Sequence, residues 1–275
     1  MSNVISIGRN PDARFCVYGD ESRFRTVLVF AFAVFHRQNL EHAHSILTAI
    51  RREYRIPPTT PIHCRVLYNS DARKKHGVDH LDQPTVDALI AALVGQLKDV
   101  PVACRFAWTA LPDRDPLVNS TDPSWILPSE PKGVIGLLMQ ACFAVAADGG
   151  EGPAASESEV FVSADPTKIR FLGDKRYQAH RGYGGFSDVD SPPGQVFDIR
   201  PHIVTANRWK EQPLLQVADV LAYICSHADP LLNRDDFFTR LLKGMYWSRA
   251  TLVLKDHTEP ETTPHGEARS TQGVG

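Results

Sequence analysis

The sequence predicts an α/β fold in which strands alternate with amphipathic helices. Three stretches carry that reading. Cys16-Val17-Tyr18-Gly19-Asp20-Glu21-Ser22 followed by the apolar run Thr26 to Phe35 reads as a strand, a turn and a second strand pairing back. Thr85 to Leu97 places Val86, Leu89, Ile90, Leu93 and Val94 on one helical stripe. Glu159 to Ala164 reads as a strand and Leu214 to His227 as a helix. At 275 residues, 43% hydrophobic and 23% charged, the chain has enough apolar surface for an extensive core in one large domain.

Taken in order, residues 1–14 are expected to be a flexible leader. Leu40 to Tyr54 recurs apolar at Leu40, Ala43, Ile46, Leu47 and Ile50, and Arg51, Arg52 and Arg55 complement the dipole at the end of that helix. Pro57, Pro58 and Pro61 break it. Ile62 to Tyr68 reads as a short strand-like edge, and Asp71 to His80 as a basic loop containing Arg73, Lys74 and Lys75. Val102 to Leu111 reads as a strand, Asp113 to Pro131 as a surface loop, and Lys132 to Ala147 as a buried helix. Asp148 to Ser158 is a Gly/Ser/Glu linker, Phe197 to Ala206 a strand, and Asp235 to Trp247 a last amphipathic helix. The domain is expected to run over 15–255 with loop insertions, followed by a disordered tail, 256–275.

Bulk charge excludes little. A net charge of −2 does not announce a nucleic-acid binder, although it permits a local basic face. The five cysteines are scattered and lack CxxC spacing, which favours buried reduced thiols over a zinc site. No basic region followed by an apolar stretch opens the chain and no run approaches a membrane span, so the expectation is a cytoplasmic protein without a membrane partner. The patterns GxxxxGK[ST], GxGxxG and GxSxG are missing from the sequence, which removes the main supports for triphosphatase, dinucleotide and serine-hydrolase readings.

The chemistry lies in acids at unusual places. Asp20 and Glu21 end the opening strand, Asp165 ends the strand from Glu159, and Asp219 sits inside a helix that is apolar except for Gln216, Asp219 and Tyr223. Those three fall at i, i+3 and i+7 and so share a face. An acid in such settings is solvated, paired or bound to a cation. One reading pairs Asp219 with Lys210 or an arginine. The other gathers Asp20, Asp165 and Asp219 as oxygen ligands for Mg²⁺ or Mn²⁺, which activate water at a phosphodiester. Glu21 either joins them or points to the opposite side of the strand. His63 is either an auxiliary base or a structural histidine. Lys168, Arg170, Lys175 and Arg176 follow Asp165 directly and, with Gln216, are the candidate substrate contacts on a phosphate backbone.

These stretches resemble the bacterial domain-of-unknown-function family numbered 3800. Tyr18-Gly19-Asp20-Glu21-Ser22 is similar to its "DES" opening, Ile62-His63 to its "HA"-type segment, and Leu215-Gln216-Val217-Ala218-Asp219-Val220-Leu221-Ala222-Tyr223 to its closing "LQ-ADLLAY" helix. The resemblance spans roughly residues 15 to 230. It implies a ribonuclease-H-like mixed sheet whose first three strands form an antiparallel meander, flanked by helices. It also implies that Asp20, Asp165 and Asp219 bind metal, with Glu21 and His63 beside them. Where the family usually has Gly after the opening, Arg23 stands here and brings a cation near the site. The expected function is a metal-dependent nuclease acting on DNA or RNA; the alternative is a catalytically silent module that binds nucleic acid or a protein.

Overall fold

Val27 to His36 carries no charged residue before His36, and a run of that kind is satisfied only by burial on both faces. It forms the inner strand of the sheet, with Leu28 to Phe35 all buried. The structure, a computed structural model, describes residues 4–7, 12–25, 27–101, 103–110, 138, 142, 158–163, 196–199, 202–204, 206–229, 233–245 and 247–251. The strands are β1 (Val4–Ile7), β2 (Phe15–Phe24), β3 (Val27–His36), β4 (Ala103–Ala110), β5 (Ser158–Ser163), β6 (Val196–Ile199), β7 (His202–Val204) and β8 (Trp247–Thr251). The helices are α1 (Leu40–Glu53), α2 (Cys64–Leu67), α3 (Ser70–Lys75), α4 (Gln83–Leu97), α5 (Leu215–His227) and α6 (Phe237–Lys243).

Among the described residues six strands make a mixed sheet in the order β7-β5-β2-β3-β4-β8, and β1 pairs with β6 separately. β2, β3 and β4 form an antiparallel meander, while β5 joins β2, β7 joins β5 and β8 joins β4 in parallel. The α/β class with a mixed sheet therefore holds. The meander is made by the second to fourth strands in the chain, because Val4–Ile7, inside the expected flexible leader, is itself a strand paired in parallel with Val196–Ile199.

Strand alternation divides the sheet into two faces. One face presents Cys16, Tyr18, Val29, Ala31, Ala33, Phe35, Cys104 and Phe106 to a core closed by α1, α4 and α5, and α5 lies across β2 and β3. The other face buries Val17, Phe30, Phe32, Val34 and Ala107; Leu138 and Cys142 are helical and buried, and the Cys142 thiol donates to the Phe30 carbonyl at 3.4 Å. At the start of β5, Glu159 accepts from Arg37 at 2.7 Å, tying that strand to the end of β3. All five cysteines are free and buried. No described helix is long and apolar enough to cross a membrane.

Several elements differ from the pattern reading. Ile62 to Tyr68 holds a helical turn, α2, because His63 caps it by accepting the Arg65 N–H at 3.1 Å. The supposed basic loop starts with α3, capped by Asn69, which accepts from Asp71 and Ala72 at 3.0 and 2.9 Å. Phe197 to Ala206 divides into β6 and β7 in different sheets, with Pro201 between them bringing no N–H to a ladder. The last helix ends at Lys243 and Trp247–Thr251 extends the sheet instead. The loop expected over Asp113 to Pro131, most of the linker and the tail 256–275 lie outside the described residues.

Gly19 sits where Phe32 and Phe30 cross the strand. A Cβ there would stand 2.5 and 2.7 Å from two Phe32 ring atoms and 2.9 Å from Phe30. Both rings are buried and cannot swing away. Gly19→Ala is expected to cost about 1–3 kcal/mol, roughly 2–4 °C of Tm for each kcal/mol, checked by thermal and urea unfolding.

Candidate carboxylate site

Asp20 lies on the β2 face that carries Cys16 and Tyr18, the face α5 covers. Only 9% of it is exposed. Its carboxylate accepts from the Glu21 N–H at 2.8 Å and from the hydroxyl of Ser163, the last residue of neighbouring β5. Asp219 reaches the same place from α5. Burial pushes the Asp20 carboxyl well above the usual carboxylate range; Asp219 and Glu21 push it further, while the Glu21 N–H and Ser163 draw it down. Asp219 is also raised by burial, opposed by His63 and by the Cys64 N–H and thiol. Two acids within Coulombic reach in a dry place do not both ionise readily.

The turn at α2 exists to hold Asp219. The Cys64 N–H donates to Asp219 Oδ2 at 2.8 Å, and the Cys64 thiol donates to the same side chain. His63 has the structural role: Nδ1 caps α2, while Nε2 lies 3.5 Å from Asp219 Oδ1. With Nδ1 accepting, the ring proton sits on Nε2 and faces the carboxylate. Cys64 was legible in the sequence only as a buried reduced thiol; its place three residues after Pro61 and beside His63 was the available signal.

Among the described residues neither Lys210 nor an arginine pairs with Asp219. Lys210 lies over the Trp209 ring, 5.8 Å from its centroid. Arg51 instead donates to the Pro57 and Thr60 carbonyls at 2.6 and 2.5 Å and to Gln216 Oε1 at 3.1 Å. Among the described residues no lysine or arginine faces the two carboxylates.

Gln216, expected as a substrate contact, makes its bonds within the chain. It is buried, its Oε1 also accepts the Ile62 N–H at 2.6 Å, and its Nε2 donates to the Pro213 carbonyl at 3.0 Å. Its amide is consumed in fastening the Pro57–Ile62 segment to α5. Tyr223, the third polar residue of that face, stacks on Tyr68 at 4.9 Å. Glu21 falls on the opposite face of β2 from Asp20 by alternation, while remaining near enough to raise its neighbour. Asp165, Lys168, Arg170, Lys175 and Arg176 lie outside the described residues.

The donor set is of the kind a hard divalent cation takes: largely buried carboxylate oxygens, each carboxylate fixed by a backbone N–H, with no lysine or arginine against them among the described residues. Among the described residues no group of three or more His, Cys, Asp or Glu side chains is arranged to hold a metal ion. Asp20 and Asp219 bring two carboxylates together, and an ion bound there would have to take its remaining ligands from elsewhere.

Two expectations follow. An acid raised on folding contributes stability that is fully present below its unfolded value near 3.8 and is lost as pH rises through the higher folded value. In EDTA, Asp20→Asn therefore raises Tm at pH 7–8, by about 1 kcal/mol or roughly 2–4 °C, and the advantage fades as pH falls toward 4; a pH-independent difference would refute the charge argument. Gln216→Ala, leaving a buried N–H and an arginine without their acceptor, costs about 1–3 kcal/mol in urea unfolding.

Comparison with known proteins leaves the reading to these residues: no protein-family model, curated protein or solved structure matches the chain.

Proposed function

We propose that the chain is a Mg²⁺- or Mn²⁺-dependent phosphodiesterase acting on nucleic acid, built on a ribonuclease-H-like sheet. The observation that carries it is the pair Asp20 and Asp219, the first buried and the second with 14% of its side chain exposed, both raised and facing no lysine or arginine among the described residues. For the fold, support comes from the antiparallel meander β2-β3-β4 with β5 and β7 added in parallel beside β2; β8 on the far edge and the separate β1–β6 pair depart from that pattern.

Asp20 and Asp219 would hold the ion, with Asp165, two residues past Ser163 in sequence, as the further ligand. When bound, such an ion activates water and offsets charge building on the phosphodiester. The rest is done by this chain. Cys64 fixes the orientation of Asp219 through its N–H and thiol, so the carboxylate does not reorganise during turnover. Ser163 and the Glu21 N–H do the same for Asp20. His63, with 42% of its side chain exposed, stands where the dry pair meets solvent and can move a proton at Nε2. The basic run Lys168 to Arg176 supplies charge for a phosphate backbone.

Purified protein is expected to cleave DNA or RNA with Mn²⁺ and to stop in EDTA. Mn²⁺ at a hundred times its Kd should stabilise by about 2.7 kcal/mol in a thermal-shift titration. Asp219→Asn should abolish cleavage and the Mn²⁺ shift while its Tm in EDTA stays equal or higher. Activity that survives EDTA, or a fully active Asp219→Asn, would sink the proposal. Nucleic-acid binding with no cleavage and no Mn²⁺ shift would instead identify the silent binding module.

A further inference from the structure

Beyond the carboxylates, β2 continues on the same face with Ser22 and Phe24. Both meet α5. Ser22 Oγ and Ser226 Oγ lie 2.9 Å apart, and the Phe24 ring stacks on His227 with centroids 4.0 Å apart and planes at 28°. His227 stacks in turn on Tyr223 at 3.8 Å, and Tyr223 on Tyr68 at 4.9 Å and 8°. Four rings thus form one continuous pile, braced from the side by Phe238. The inner members are partly buried, whereas Phe24 is the one large hydrophobic side chain exposed among the described residues, at 37%. A pile of rings that ends in an exposed ring offers a planar apolar surface to a further ring.

The charges beside it are cationic. Arg23 and Arg25 are both exposed, Arg23 Nε donates to the Arg25 carbonyl at 3.3 Å, and the Arg25 guanidinium lies 5.2 Å from the Phe24 centroid. An exposed arginine side chain reorients on the picosecond-to-nanosecond scale, so it yields the ring face or adds a second planar surface to it. Arg25 also holds φ at 53°, a left-handed conformation that glycine adopts at no cost and arginine does not. A strained cation kept at the tip of a hairpin, next to an exposed aromatic ring, is a feature that packing alone does not require. Phe24 is four residues from Asp20, about 13 Å along an extended strand.

We propose that Phe24 is a base-stacking platform for single-stranded nucleic acid: one unstacked base lies on the exposed ring, its flanking phosphates contact Arg23 and Arg25, and the strand leads from there to the two carboxylates. This rests on the phosphodiesterase reading of the site and adds to it the substrate class, a single strand or an unpaired end. Stacking is sequence-tolerant because every base has a π-face, so no base preference is expected from this contact. An arginine-flanked aromatic ring is also the composition of a protein-binding hot spot, and the experiment separates the two.

The experiment titrates short end-labelled single-stranded DNA and RNA, and the matching duplex, by fluorescence anisotropy in EDTA. Wild type is compared with Phe24→Leu, Phe24→Trp and Arg25→Gly, and Mn²⁺ thermal shifts are recorded on all four. Wild type is expected to bind single strands more tightly than duplex. Phe24→Leu should weaken single-strand binding about 5- to 150-fold, the range of stacking on one aromatic ring, while Phe24→Trp restores it. Arg25→Gly should lower affinity and reduce the log–log salt slope by about 0.7, with a Tm equal to or above wild type because the positive φ is relieved. The Mn²⁺ shift should be unaltered in all three variants. Equal binding by Phe24→Leu, equal affinity for duplex, or no nucleic-acid binding in EDTA overturns the platform, the last pointing to a protein partner. A missing Mn²⁺ shift in wild type, with stacking-dependent binding intact, fails the metal site alone and leaves the platform standing.

Discussion

Two carboxylates that would avoid one another in water are held together where water is scarce. Asp20 arrives on the strand that pairs with the wholly buried β3, and Asp219 on a helix whose other residues are almost all core. Neither can retreat without unpacking the element that carries it. The remaining polar structure nearby is understandable as a response. Cys64 spends its N–H and thiol on Asp219, Ser163 and the Glu21 N–H serve Asp20, and α2 turns where it does because His63 caps it and Cys64 must face α5. These neutral donors soften the repulsion without removing it, which is why burial still leads the causes that raise both acids. Net positive charge, from protons or from a divalent ion, is what the geometry asks for.

Holding that frustration requires a rigid frame. β3 is buried from Leu28 to Phe35, and its rings pack so closely over Gly19 that no side chain fits next to the first acid. The Pro57–Ile62 segment is fastened to α5 by Arg51 and Gln216, which fixes the position from which Cys64 donates. Polar residues on the inner side of α5 thus divide their work along the helix: Gln216 anchors a loop, Asp219 faces Asp20, Tyr223 stacks and Ser226 meets Ser22. The three-residue stripe read from the sequence as one chemical face, Gln216, Asp219 and Tyr223, is three separate attachments, and Ser226 adds a fourth.

The parts legible in the sequence were those set by periodicity. The opening hairpin, α1, α4, β4 and α5 follow from patterns of 2 and 3.6 residues, and Asp20 and Asp219 stood out because each breaks an apolar pattern. What was not legible depends on contacts far apart in the chain. Ile62 to Tyr68 looks strand-like until the Asp219 carboxylate, 155 residues away, is there to receive the Cys64 N–H. Gln216 looked like a substrate contact because the backbone N–H of Ile62 that consumes it lies 154 residues earlier. β8 and Val4–Ile7 are short, and strands that short take their identity from the edge they join, not from their own residues.

Arg23 seemed out of place, as a cation inserted where glycine would be expected beside a cation site. Strand alternation resolves the difficulty. Arg23 is one of the exposed residues at the end of β2, its guanidinium turned to the Arg25 carbonyl, and it is not among the groups that shift Asp20. An arginine that reached the pair would neutralise it permanently and compete with any divalent ion. One that stands outside adds positive potential at the entrance while leaving the interior uncompensated. Separation of that kind, cations at the rim and acids within, leaves positive potential outside a pair of acids that no described lysine or arginine neutralises. The residue that fitted least well in the sequence is therefore consistent with the site once its face of the strand is known.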